Sequence, residues 1–382
     1  MDRRDQNHRI IRRGETGYRQ CAVTVMDTTD PEIRFNDAGE CHYVTHFREQ
    51  LLKVWNPQGT AGALEALFDT IRSEGRRQEY DCMIGLSGGV DSSFLVYLAW
   101  QHKLRPLIVH TDTGWNSELA VKNIENIVRR CGFDLYTHVV DWPEMQDLQR
   151  AFFRAAVPNQ DIPQDHAITA AFNQAALKYR ITWVLNGANF ATESILPPAW
   201  GYHAGDLVHI NSIHRRHGTI PLRLFPRMGY LKYALKFRGV HRLRKVQPLN
   251  LIRYSKSEAI QTLQKEFGWR YYGGKHYESR FTRFFQGWYL PTKFAYDKRL
   301  AHLSSLILNG ETTRSQALAE LEREHYPAEE LREDMVYMQK KLGVTPKEFE
   351  RLMALPPGSH EEYASSRWLL NALVRLGHSL KV

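Results

Sequence analysis

Between residues 80 and 190, short apolar runs rich in β-branched residues alternate with longer stretches whose apolar positions recur at helical spacing. The runs Asp81–Leu86, Pro106–Thr111, Leu135–Val140 and Thr182–Leu185 read as strands. Between them, Ser92–Gln101, Asn116–Cys131 and Ile168–Tyr179 read as helices. This alternation predicts βαβ units on a parallel sheet with helices on both faces, a doubly wound α/β domain. In such a domain ligands bind at the carboxyl ends of the strands. A fifth strand falls at either Val208–Asn211 or Lys245–Leu249, and the pattern does not choose between them.

The flanks read differently. Residues 1–17 carry the charges of a signal peptide's first segment without the apolar run that follows it, and are expected to be a disordered leader. Turns at Thr29–Asp30–Pro31 and Asp37–Ala38–Gly39 bracket a short strand, Ile33–Phe35, in a small N-terminal module over 18–60. Ser255 with Glu258 three residues on predicts a capped helix over Ser255–Phe267, stopped by Gly268. Further helices are expected at Thr312–Glu324 and Ala328–Leu342. The division is therefore a leader over 1–17, the module over 18–60, the α/β domain over 61–297 and a helical C-terminal extension over 298–382.

Composition narrows the class. Apolar residues make up 43% and charged residues 24% of the 382, as in folded globular proteins. The run Phe94–Trp100 is far short of the roughly 20 residues that span a bilayer, so no membrane span is expected. Four scattered cysteines, one inside a strand, suit the reducing cytoplasm. A net charge of +9 favours an acidic partner such as a nucleotide, a nucleotide sugar, nucleic acid or an anionic membrane face.

The chemistry concentrates in Ser87–Gly88–Gly89–Val90–Asp91–Ser92–Ser93, which follows a strand and opens a helix. Two glycines let backbone N–H groups approach phosphate oxygens, and Ser87, Ser92 and Ser93 add hydroxyls at the helix N-terminus. With each of its five fixed letters at about 5–7% usage, a chance match is on the order of 10⁻³. No Gly-Lys-Ser/Thr follows, so this is not a Walker A loop and its cations must come from elsewhere. Past the fourth strand, Gly187–Glu193 supplies a second acid, and Asp91 with Glu193 could hold Mg²⁺ as hard oxygen ligands. The second strand ends in the polar tip His110–Thr111–Asp112–Thr113–Gly114, expected beside the adenosine or the substrate.

The loop resembles that of the PP-loop, or N-type, ATP pyrophosphatases, whose adenine nucleotide alpha hydrolase-like fold includes GMP, NAD and asparagine synthetases and tRNA-modifying enzymes. The resemblance covers about residues 80–195 and implies ATP and Mg²⁺, with Gly88, Gly89 and their neighbours holding the leaving pyrophosphate. A substrate oxygen would attack the α-phosphorus to give an adenylate.

Tyr272–Gln286 and Leu290–Ser304 are dense in cations, hydroxyls and aromatics. Lys275, Arg280, Lys293, Lys298 and Arg299 are candidate pyrophosphate and transition-state partners there. These stretches, with Val25–Pro31, the loop and Asn186–Ser194, closely resemble N-acetyl sugar amidotransferases of bacterial surface-polysaccharide synthesis. That resemblance runs from about residue 18 to beyond 320. It implies conversion of an acetamido to an acetamidino group on a nucleotide-linked sugar of O-antigen or of the pseudaminic and legionaminic acid type. Trp115, Asn116, Trp200 and Tyr202 are candidates to line the sugar pocket.

Members of that family open with two Cys-x-x-Cys pairs resembling a structural zinc site. Here the spacing survives only as Cys21…Thr24 and Cys41…Val44, and two thiolates do not complete a four-ligand site, so zinc is not expected. No cysteine sits in a convincing nucleophile context. A separate glutaminase is therefore expected to supply ammonia, resembling the HisH protein working with a HisF-like one. The competing reading is a tRNA-modifying PP-loop enzyme of the lysidine synthetase or thiolase kind. It is weakened by the lack of a Cys-x-x-Cys redox pair and of a recognisable RNA-binding module, so nucleic acid is the less favoured partner.

Overall fold

The computed structural model of the chain describes residues 10–274, 277–324 and 326–375. At its centre is a parallel sheet of β1 Cys82–Gly85, β2 Pro106–Asp112, β3 Leu135–Val139, β4 Trp183–Leu185 and β5 Arg244–Val246. The strand order is β3-β2-β1-β4-β5. The winding direction reverses between β1 and β4, which puts the ligand crevice outside their carboxyl ends.

The helices in chain order begin with α1 His42–Glu49, α2 Ala63–Gly75, α3 Val90–Gln101, α4 Glu118–Cys131, α5 Trp142–Ala155 and α6 Ile162–Lys178. Next come α7 Phe190–Glu193, α8 Leu207–His217, and α9 Tyr230–Lys232, which runs on as a π-helix over Tyr233–Val240. The remainder are α10 Lys256–Phe267, α11 Arg280–Phe284, α12 Leu290–Phe294, α13 Lys298–Leu308, α14 Arg314–Glu322, α15 Ala328–Leu342, α16 Pro346–Ala354 and α17 Arg367–Arg375.

Alternation along β1 explains why its sequence is apolar throughout. Cys82 and Ile84 join Phe68, Leu95, Ile108 and Leu263 on the face covered by α2, α3, α4 and α10. Met83 joins Leu107, Val184, Ala170 and Phe237 on the face covered by α6 and the π-helix. Both faces are buried, as in other parallel sheets. A third cluster brings Val25 and Val44 together with Trp115, Phe152, Phe281, Leu300 and Met338, so the N-terminal module, α5 and the C-terminal helices share one core. That core runs across both residue 60 and residue 297.

Four of the expected strands stand at their positions within a residue or two. The fifth is the second alternative, at Arg244–Val246. Residues 207–217 are helical instead, because the Asp206 side chain accepts from the His209 amide and caps α8. Helix α10 is capped as read, with Ser255 Oγ accepting from the Glu258 amide and Gly268 in the left-handed region. The pattern missed α5 and the first turn and a half of α6. Ile33–Phe35 is not a strand: Phe35 makes one isolated bridge to Cys41, and the Asn36 side chain closes the turn onto the Glu40 amide. Residues 1–9 of the expected leader lie outside the described residues. From Ile10 the chain is placed, and the Ile11 amide donates to the Thr28 carbonyl at 3.2 Å. Among the described residues no helix is long and apolar enough to cross a membrane.

In the N-terminal module Cys21, Thr24 and Cys41 do converge. Cys21 Sγ accepts from the Cys41 amide at 3.2 Å and the Thr24 amide at 3.4 Å, and Thr24 Oγ1 lies 3.7 Å from Cys41 Sγ. Hydrogen bonding from the Cys41 thiol, against the cost of burial, lowers the Cys21 thiol below its ordinary value. A hydroxyl thus stands beside the two thiols where the family pattern has a third.

Candidate active site

β1 leads through Leu86 and Ser87 into a turn that opens α3. Gly88 has φ +84, and a Cβ there would sit 2.7 Å from the Ala120 carbonyl oxygen, so only glycine fits between the loop and α4. The Trp269 indole fixes the turn from outside by donating to the Gly88 carbonyl at 3.0 Å. Hydroxyls occupy the loop's amides: Gly89 N–H donates to Ser87 Oγ at 3.2 Å and Val90 N–H to Tyr272 Oη at 3.1 Å. Ser87 Oγ and Ser92 Oγ are 3.2 Å apart. This is a nest of donors at the start of a twelve-residue helix, a fit for an anion.

The loop opens into a cavity of about 580 Å³ at the carboxyl ends of β1, β2 and β4. Ser87, Gly89, Asp91, Ser92, Thr111, Asn116, Gly187, Glu193 and Lys298 all line it, from among the residues singled out in the sequence. Asp91 accepts from the Tyr254 hydroxyl. A Cβ on Gly187 would come within 2.9 Å of the Asp91 carbonyl carbon and the Ser92 nitrogen, so the second motif packs directly on the first. Asn189 caps α7 by accepting from the Thr192 amide and so sets the turn that carries Glu193 to the cavity.

At the tip of β2, Asn116 Nδ2 lies 3.0 Å from His110 Nε2. An amide nitrogen can only donate, so Nε2 accepts and the proton sits on Nδ1, which donates to the Leu86 carbonyl at 2.9 Å. The imidazole is therefore a strut between β2 and the loop.

Other expected residues are not brought to the cavity. Ser93 is fully buried within α3, and Gly88 serves the turn from behind. Lys293 reaches the Leu355 carbonyl at 2.6 Å, and Arg299 forks onto Asp297. Arg280 and Arg283 both pair with buried Asp334, which also accepts from Tyr326. Trp115 is core, at 5.0 Å from the Phe281 ring and beneath the Lys341 ammonium. Trp200 stacks on Tyr296, while Tyr202 stacks on His209, donates to Asp206 and also hydrogen-bonds with the Ser365 hydroxyl. Their large rings fill the interior, as such rings most often do. Of the four sugar-pocket candidates, Asn116 alone lines the cavity. Lys275 lies outside the described residues.

Several lining residues escaped the sequence. Lys245 arrives because β5 pairs with β4 in the register that sets it opposite Val184. Burial, then the neighbouring Arg238, lowers its pKa to about 8. Lys256 comes from the first turn of α10. Glu278 is delivered by a bridge between Asn116 and Ser279, reinforced by Ser117 N–H donating to the Glu278 carbonyl at 2.8 Å. Its carboxylate lies 3.5 Å from Ser87 Oγ. Opposite the loop, Thr113 donates to Gln164, and Gln164 and Thr282 donate to Asp161, all between 3.0 and 3.1 Å. The polar run Gln160–Asp165 at the head of α6 was the one available signal for that wall.

The segment that carries Glu278, Thr282 and Lys298 also has a likeness in sequence. Residues 278–376 match the family described as LPS biosynthesis protein WbpG-like, C-terminal domain. This stretch of the chain is similar to the C-terminal domain of that lipopolysaccharide biosynthesis family. No curated protein matches in sequence. Among solved structures the chain is similar to NMN synthetase from Francisella tularensis, at 13% identity over 54% of this chain and 91% of that one, with a TM-score of 0.28. It is also similar to the U34-tRNA thiolase NcsA from Methanococcus maripaludis with its [4Fe-4S] cluster, at 12% identity over 76% and 79%, with a TM-score of 0.31. A third is the NH3-dependent NAD synthetase from Campylobacter jejuni, at 13% identity over 74% and 96%, with a TM-score of 0.28. Likeness at these scores carries no weight, and the doubly wound fold rests on the sheet order itself. The glycine-rich loop sits where a doubly wound sheet binds ligands, and Glu278, Ser279, Thr282 and Lys298 of the matched stretch line the same cavity.

Proposed function

We propose that the chain is an ATP-dependent amidotransferase that converts the acetamido group of a nucleotide-linked sugar to an acetamidino group in bacterial surface-polysaccharide synthesis. The observation that carries this reading is the phosphate-binding turn opening, at the switch point of the sheet, onto a cavity whose lining also includes five acids, Asp91 and Glu193 among them, and three lysines. The match of residues 278–376 to a lipopolysaccharide biosynthesis family supports the setting.

In this reading the amides of Gly89 and Val90, with Ser87 and Ser92, hold the β- and γ-phosphates once their hydroxyl partners are displaced. Asp91 and Glu193 would hold Mg²⁺, which when bound would supply neutralising charge on the leaving pyrophosphate. Their donor set of two carboxylates at the loop's edge fits a hard cation that keeps water and phosphate ligands. Glu278 lies against Ser87 of the loop. Lys298, Lys256 and Lys245 supply the cations the loop lacks, and Lys275 is assigned to the α-phosphorus. The wall of Thr113, Gln164, Asp161 and Thr282, with Asn116, offers hydroxyl and amide partners suited to a sugar and its acetamido group. The amide oxygen attacks the α-phosphorus, pyrophosphate leaves, and ammonia then replaces the adenylated oxygen.

Among the described residues that line the cavity there is no cysteine. A HisH-like glutaminase with a HisF-like protein is the proposed ammonia source. Incubation with ATP, ammonium and a panel of UDP-diacetamido sugars should release AMP and pyrophosphate with one sugar and form its amidine. Glutamine should replace ammonium only when the partner is added. Turnover of ATP with tRNA and with none of the sugars would refute the reading.

A further inference from the structure

Residues 207–246 hold ten arginines and lysines and no aspartate or glutamate, against a net charge of +9 for the whole chain. Within this stretch the helix over Tyr230–Val240 has two unlike faces. Tyr230, Tyr233, Ala234 and Phe237 are buried against α6 and the sheet. Outward, Leu231 is 53%, Leu235 63% and Val240 85% exposed, in a row with spacings of four and then five residues. Those spacings follow the wider turn of the π-helical part, so the three form one stripe. Lys232 and Lys236, also exposed, run beside it. α17 packs against the start of this helix and leaves Trp368 70% exposed.

We infer that this outer face is a docking surface for the anionic face of a lipid bilayer. Lysines one helical turn apart are attracted by acidic headgroups, and aliphatic side chains between them enter the boundary where headgroups meet acyl chains. An exposed tryptophan is the residue type that prefers that boundary. Nucleic acid would also draw the cations. It has no use, however, for a stripe of bare leucine and valine, since its binding surfaces interleave cations with stacking aromatic rings. The same helix backs the active site, for the Lys245 ammonium lies 5.0 Å from the Tyr233 ring on its inner face. Docking would therefore hold the cavity close to the membrane surface. The inference does not depend on which reaction the cavity performs.

The test is co-sedimentation of the full chain with phosphatidylcholine vesicles that contain or lack phosphatidylglycerol, with a short RNA duplex as the competing ligand. The chain should pellet with the anionic vesicles, less so as salt rises, and remain in solution with the neutral ones. Two double variants, Lys232→Glu/Lys236→Glu and Leu231→Ser/Leu235→Ser, alter only exposed side chains and should keep the wild-type unfolding temperature. Each should weaken vesicle binding by about tenfold or more. Failure to pellet with anionic vesicles, or pelleting that survives both double variants, would overturn the inference. So would RNA binding that excludes vesicles and is lost in the lysine variant but unchanged in the leucine variant.

Discussion

Gly187 and Asp91 touch so closely that no side chain fits between them: a Cβ on Gly187 would lie 2.9 Å from the Asp91 carbonyl carbon. The obstruction is backbone at the first turn of α3, which cannot swing aside as a side chain would. Gly187→Ala should therefore shift the loop as well as strain the fold. A cost of about 1–3 kcal/mol is expected from overpacking. Denaturant unfolding should show that loss together with a larger fall in ATP turnover, whereas unchanged stability and activity would mean that the two motifs are not rigidly coupled.

Asp91→Ala removes a cavity carboxylate and no core atom, so turnover should vanish while the unfolding temperature stays close to wild type. Tyr254→Phe deletes the hydroxyl that donates to Asp91. Losing a hydrogen bond to a charged group of about 1.4 kcal/mol corresponds to a roughly tenfold fall in kcat/KM. Activity of Asp91→Ala within a few-fold of wild type would take Asp91 out of the mechanism.

Lys245 titrates where it can be seen, since burial holds it down to about 8. Its protonated form attracts phosphate, so ATP affinity should fall as the pH rises through about 8. Lys245→Arg keeps its charge and should move that limb to higher pH. A Kd for ATP that is flat between about pH 7 and 9 would exclude Lys245 from binding, given the ordinary lysine value of about 10.4.

The pair of arginines on Asp334 is structural, although the cation-rich segment suggested chemistry. Burial works against the Asp334 charge, but hydrogen bonds from Tyr326, Arg280 and Arg283 outweigh it and hold its pKa below the usual carboxylate value. A depressed acid stabilises the fold fully above its unfolded pKa of about 3.9, and that contribution disappears as the pH falls through the lower folded value. Asp334→Asn leaves two guanidinium groups facing a neutral amide and should cost about 3–5 kcal/mol. Chemical unfolding near neutral pH should show the loss, and it should shrink in strong acid.

The sheet and the loop were legible because their determinants are local. β1 and β2 are apolar runs buried on both faces, and Gly88 marks a turn that leaves no room for a Cβ. Lys245, Lys256 and Gln164 were not legible, since strand register or a helix start brings each to the cavity from far along the chain. A rich composition over residues 272–304 also could not say which side chains turn inward. Lys298 and Glu278 do, while Lys293 and Arg299 serve nearby carbonyls and a carboxylate. Trp115, Trp200 and Tyr202 lie beside polar motifs in sequence, yet their rings are spent on packing.

The fate of one oxygen tests the account most directly. An unactivated amide does not release its oxygen as hydroxide, so adenylation must come before ammonia attacks the carbon. With ¹⁸O in the acetamido carbonyl of the sugar, mass spectrometry should find the label in AMP, with unlabelled pyrophosphate and one AMP per amidine formed. Products of ADP and phosphate, or label in phosphate or water, would contradict both the mechanism and the role given to the loop at Ser87–Ser93.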